Sequence, residues 1–130
     1  HVYTYSGHPV GAAAALACLA ETRRLNVVEN AAARGTQLYQ GCLKLLEKYD
    51  IIGDVRGGYG LMTAIEMVSD RATRKPIDAI TATTVHEVAY QSGAMVRISG
   101  PNLILSPPLV LTERDADTIL SALDAGFAAV

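Results

Sequence analysis

Three stretches of this sequence hold side chains of the type and spacing that handle anions. The first is its opening, His1 to Pro9, read as HVYTYSGHP. Hydroxyl residues in an extended loop just ahead of a helix can donate to a phosphate through both side chain and backbone N–H. Thr4, Ser6 and Gly7 serve equally well to shape the helix entry, with His8 as a turn residue before Pro9. The second stretch is Gly53 to Met62, GDVRGGYGLM. It has neither the GxGxxG nor the P-loop pattern, so glycines between two strand-like segments read as a tight turn or bulge. The third is Gly93 to Thr112, GAMVRISGPNLILSPPLVLT, where Arg97 stands in an otherwise apolar strand. A guanidinium there must be paired or face a cavity, because burying it alone is costly. Residue types leave two roles open for Arg97. One is a structural ion pair or an exposed edge position. The other is a fork that grips a carboxylate through two hydrogen bonds, worth roughly 1.5–3 kcal/mol.

The remaining reactive side chains point elsewhere. His86 sits beside Glu87 with no nucleophile near it in sequence, and reads as a surface or core histidine. A Schiff-base lysine needs a desolvated or electropositive pocket. Lys44 and Lys48 fall on the polar side of a helical pattern, and Lys75 falls in a loop. Cys18 and Cys42 both lie within apolar helical patterns and are expected as buried, reduced thiols. Neither has a partner at zinc-ligand spacing. The net charge is −2 and the only compact basic group is Arg71, Arg74 and Lys75. A solvated loop accounts for that group, and a nucleic-acid face is not expected. No charged region precedes an apolar run as in a signal peptide, and the alanine-rich run from Val10 to Ala20 is too short to span a bilayer. The cytoplasm is the default location, with no membrane partner.

These residues need elements to hold them. The 130 residues are half hydrophobic and 18% charged, which suits one globular domain that buries roughly two-thirds of its unfolded surface. Pro9 fits a first helical position, and Val10 to Leu25 reads as a helix. A second helix covers Val27 to Tyr49, with Leu38, Cys42, Leu45 and Leu46 on one face. Ile51 to Val55 and Leu61 to Val68 read as strands around the glycine cluster. Ser69 to Lys75 is a polar loop. Pro76 is expected to open a third helix through Tyr90, with Ile77, Ile80 and Val88 inward. Met95 to Ile98 and Leu103 to Leu105 form a hairpin across Ser99-Gly100-Pro101-Asn102. Pro107-Pro108 ends it. Thr112 and Asp115 resemble a capping box for a last helix whose inward stripe is Ala116, Ile119, Leu120, Leu123 and Phe127. The fold class is α+β: a small mixed or antiparallel sheet covered by helices.

With these residues in view, the chain resembles the C-terminal small domain of class III aminotransferases, fold-type I enzymes that use pyridoxal 5'-phosphate. The stretch TYSGHPVGAAAALA is similar to the segment by which that family enters its small domain, with Val2 standing where the family has glycine. Gly53 to Met62 is similar to a structural G-D-V-R-G-x-G-L-M stretch, one residue longer here. Gly93, Arg97, Gly100, Pro107, Pro108, Leu109 and Thr112 match its G-x-x-x-R-x-x-G and P-P-L-x-x-T anchors. The resemblance covers residues 1–130. It implies that Thr4 holds the cofactor phosphate in the active site of a neighbouring subunit, that Tyr3 lines the same pocket, and that Arg97 binds the substrate carboxylate. It further implies a homodimer with shared active sites, a large domain outside this chain, and an amino donor and keto acid as substrates. The family's lysine lies upstream of Thr4, so no catalytic residue is expected here, and a chain that opens with His1 reads as cut from something longer. A decarboxylase or aminomutase small domain, or a non-catalytic interaction module, remains open at this point.

Overall fold

The computed structural model describes residues 1–130. In chain order it runs α1 Pro9–Arg24, α2 Val27–Lys48, β1 Ile52–Arg56, β2 Thr63–Asp70, β3 Lys75–Pro76, α3 Ala79–Gln91, β4 Arg97–Ser99, β5 Asn102–Leu105 and α4 Glu113–Ala128. All pairings are antiparallel: β1, β2, β5 and β4 lie side by side, and β3 pairs with β2. The α+β expectation holds, with the sheet antiparallel throughout.

Period-two patterning decides which face of the sheet is buried. Thr63, Ile65 and Met67 of β2 and Leu103 and Leu105 of β5 are buried, while Ala64, Glu66, Asn102 and Ile104 between them are only half-buried; Val68, at the outer end of the pattern, is buried as well. In β1 the buried residues are Ile52 and Val55, three apart rather than two. A register shift between Ile52 and Asp54 supplies the extra residue, as a bulge does. Gly53 belongs in that shift, because a Cβ there would lie 2.6 Å from Val68 Cγ1.

Helices α2, α3 and α4 supply the other half of the core. Cys42 and Leu45 of α2, Ala82 and Val85 of α3, and Ala122, Leu123 and Phe127 of α4 join the sheet residues in one cluster. Helices α3 and α4 approach closely at Gly126, where a Cβ would lie 2.6 Å from the carbonyl oxygen of Val85. The capping box is present: Asp115 N donates to Thr112 Oγ1 (3.2 Å), and Thr112 N donates to Asp115 Oδ2 (3.1 Å). Leu38, Leu61, Leu111 and Ala116 form a smaller cluster beneath the loop that enters α4.

Three expectations are corrected. Pro76 does not open α3. It sits in β3 at the margin of the sheet, where its missing N–H breaks no interior ladder. Asp78 caps the helix instead, its Oδ1 accepting from the backbone N–H groups of Ile80 and Thr81. With the start moved to Ala79, the inward face becomes Ala82, Val85 and Ala89, and Ile80 is 81% exposed. Cys18 is exposed as well, because α1 buries none of its residues. Cys42 is buried as expected, and loss of hydration pushes its thiol up to about 12. No helix is long and apolar enough to cross a membrane.

Candidate active-site surface

Arg97, Ile104, Ala64 and Arg56 stand opposite one another in register across β4, β5, β2 and β1. They form one row on the sheet face turned away from the helices. The two arginines at its ends differ in their surroundings. Arg56 Nη1 donates to Asp54 Oδ2 (2.9 Å) and to Glu66 Oε2 (2.5 Å), and Nη2 donates to Asn102 Oδ1 (3.0 Å). The bond to Glu66, followed by that to Asp54, raises the pKa of Arg56 further. Both of its terminal nitrogens are engaged. Arg97 is exposed and takes part in none of the chain's ion pairs or side-chain hydrogen bonds. Three strand steps of about 4.8 Å put its backbone roughly 14 Å from Arg56, so the carboxylates that neutralise one do not reach the other.

Arg97 also lines a cavity of about 600 Å³ at the β4 edge, together with Met95, Ile104, Pro107, Pro108 and Asp115. Apolar walls lower the local dielectric and strengthen any ion pair formed there. The Pro107–Leu111 wall is fixed from behind. Asn30 Nδ2 of α2 donates to the carbonyl oxygens of Leu109 (2.8 Å) and Leu111 (2.9 Å). Gln37 Nε2, two turns along, donates to the Glu113 carbonyl (3.1 Å) and to Asp117 Oδ1 (2.7 Å). Of the two roles left open by residue type, the exposed edge and the free fork fit Arg97, and a structural ion pair does not.

Thr4 and Tyr3 lie apart from that cavity in hydrogen bonding. Residues 1–8 bond only among themselves and to Gly11 and Ala12 of α1. Ser6 N donates to the Tyr3 carbonyl (3.0 Å), and Tyr3 N donates to Ser6 Oγ (3.2 Å), which closes a compact turn. Gly7 follows at φ +75°, a left-handed position that glycine takes at little cost. Thr4 and Tyr3 are both exposed, and the Thr4 hydroxyl is bonded to nothing in the chain. A free hydroxyl beside a helix entry suits the phosphate of pyridoxal phosphate. The carbonyl end of that group finds no counterpart: Lys44, Lys48 and Lys75 are all exposed. Lys48 pairs with Asp124 at 2.6 Å, and that bond raises its pKa, the opposite of what a nucleophilic amine needs.

The sequence reading missed the role of one side chain and passed over another. His8, expected as a turn residue, is the N-cap of α1, its Nδ1 accepting from Gly11 N (3.0 Å). The signal was its place immediately before an N1 proline. Asn30 carried a fainter one, a lone amide among alanines at the start of α2.

A family model described as aminotransferase class-III matches residues 1–127. The chain is 44% identical to an amine transaminase from an uncultivated Pseudomonas species, whose structure was solved with pyridoxal phosphate bound. The two superpose with a TM-score of 0.87 over 99% of this chain and 29% of that one. It is 38% identical to the taurine–pyruvate aminotransferase of Bilophila wadsworthia, over 99% of this chain and 30% of that protein. It is 37% identical to the isoleucine 2-epimerase of Lentilactobacillus buchneri, over 100% of this chain and 29% of that protein. The chain thus spans about 30% of the length of the relatives it matches.

Proposed function

The chain belongs to the class III aminotransferases, and on that premise we propose that it is the C-terminal small domain of a pyridoxal-phosphate enzyme. That enzyme moves an amino group from an ω-amino acid, amine or amino acid to a keto acid. Membership of the family, the amine transaminase neighbour and the relative that acts on taurine with pyruvate support this reading. The observation that carries the assignment for this segment is Arg97, an unpaired guanidinium on an edge strand beside an apolar cavity.

Arg97 binds the carboxylate of the amino or keto acid. Two parallel N–H donors match two carboxylate oxygens, which sets both position and orientation of the substrate. The apolar part of the cavity wall, Met95, Ile104, Pro107 and Pro108, packs against the rest of the substrate. Thr4 donates its hydroxyl to the cofactor phosphate and Tyr3 lines the same pocket, in the active site of a second copy in a cytoplasmic homodimer. The exposure of both residues, and their lack of contacts beyond α1, is what supports a partner-side role. When bound, pyridoxal phosphate supplies the electron sink and carries the amino group between the two substrates. The lysine that moves the proton belongs to the large domain.

The isoleucine epimerase relative favours a second reading, in which the same small domain serves inversion at the α-carbon. One experiment separates the two. The full-length protein with cofactor is given a chiral donor, one enantiomer of an α-amino acid, and pyruvate, and alanine is measured. The donor is then incubated without pyruvate, and its optical rotation is followed. Stoichiometric alanine and no loss of rotation are expected. Racemisation without alanine formation would overturn the transaminase reading in favour of the epimerase.

A further inference from the structure

His86 reaches the strand that carries Arg97. Its Nε2 lies 3.0 Å from the carbonyl oxygen of Val96, the residue immediately before Arg97. A carbonyl oxygen only accepts, so the ring nitrogen donates, in the neutral Nε2–H tautomer and in the imidazolium alike. A second tether comes from the same helix: Ala94 N donates to the Ala89 carbonyl at 3.0 Å. Between these two points the chain alternates, with Ala94 and Val96 buried and Met95 and Arg97 facing out.

Strand β4 needs such support. It is three residues long, lies at the edge of the sheet, and is paired on one side only, by β5. Arg97 has no side-chain partner, so its backbone is the only fixed point from which the side chain extends. We propose that His86 is a positioning residue, which by holding the Val96 carbonyl fixes the backbone from which Arg97 reaches the substrate carboxylate. This rests on the proposed role of Arg97 in carboxylate binding. A glutamine at position 86 places an amide N–H at similar reach. A phenylalanine fills the volume and donates nothing.

The test uses the full-length, cofactor-loaded enzyme and a matched donor pair, 4-aminobutanoate and butylamine, in the donor half-reaction. The variants are His86→Phe, His86→Gln, Arg97→Ala and the His86→Phe/Arg97→Ala double. His86→Phe is expected to raise the half-saturating concentration of 4-aminobutanoate about three- to tenfold, the range one neutral hydrogen bond carries. The maximal rate and the butylamine reaction should stay within about twofold, and His86→Gln should restore most of the loss. In the Arg97→Ala background the His86→Phe change should cost nothing more, because the residue acts only through Arg97. Pyruvate binding by calorimetry should weaken in His86→Phe by the same factor as 4-aminobutanoate. Equal losses with both donors, or full additivity with Arg97→Ala, would overturn the proposal. An Arg97→Ala enzyme that discriminates against 4-aminobutanoate beside a silent His86→Phe removes His86 alone. An Arg97→Ala enzyme that does not discriminate removes the Arg97 reading and this proposal with it. If His86→Phe does not fold, His86→Asn takes its place, since its amide stops short of the carbonyl.

Discussion

At the scale of single residues, pairing separates groups that serve structure from groups free to serve a ligand. Arg56 spends its donors on Asp54, Glu66 and Asn102, and Arg97 spends none. The lysines divide in the same way. Asp124 holds Lys48 in its charged form, while Lys44 and Lys75 stand exposed. A protonated or fully hydrated amine attacks an aldehyde poorly. This chain, incubated with pyridoxal phosphate and then borohydride, is expected to carry no stoichiometric pyridoxyl adduct by mass spectrometry. A single adduct at Lys44, Lys48 or Lys75 would place the Schiff base inside this segment. The motif residues were legible in the sequence because their types are chemically explicit. What sequence did not reveal was which arginine would be neutralised, since Asp54, Glu66 and Asn102 meet Arg56 only through sheet register.

At the scale of elements, the helices hold the cavity from outside it. Asn30 reaches 79 and 81 positions along the chain to two carbonyls of one loop. Removing that amide leaves both acceptors without their donor. Water can reach the exposed Leu109 carbonyl, so Asn30→Ala is expected to destabilise the chain by about 0.5–1.5 kcal/mol in urea unfolding. Asn30→Asp should fare no better, because a carboxylate cannot donate to a carbonyl. A change below about 0.5 kcal/mol in both variants would show that the loop is fixed by packing alone. Elements with a clean apolar period, α2 and α4, were readable to within a residue or two. The error at α3 came from competition between two valid signals. Pro76 suits a first helical turn and an edge strand equally, and Asp78 decided between them by capping Ile80 and Thr81. The bulge in β1 was hidden for a related reason: a shift in pairing leaves no mark on composition.

At the scale of the whole molecule, the chain is a sheet with one face packed and the other open. Helix α1 buries nothing, and Val10, Leu16 and Leu19 are among the large apolar side chains it exposes. The run from Val10 to Ala20 carries no charged side chain, yet none of it is covered by another part of the chain. At the site, Arg97 and the Thr4 turn share no hydrogen bond within the chain. In the proposed enzyme the two act on opposite ends of the chemistry, Arg97 on the substrate carboxylate and Thr4 on the cofactor phosphate. That division is tested most directly by one measurement on the full-length enzyme: kcat/KM of Arg97→Ala for 4-aminobutanoate relative to butylamine, in the donor half-reaction. Loss of charge-assisted bonds worth roughly 1.5–3 kcal/mol predicts a ten- to hundredfold fall for the amino acid, with butylamine nearly unchanged and cofactor retained. Equal falls for both donors would make Arg97 a structural residue and contradict its role in carboxylate binding.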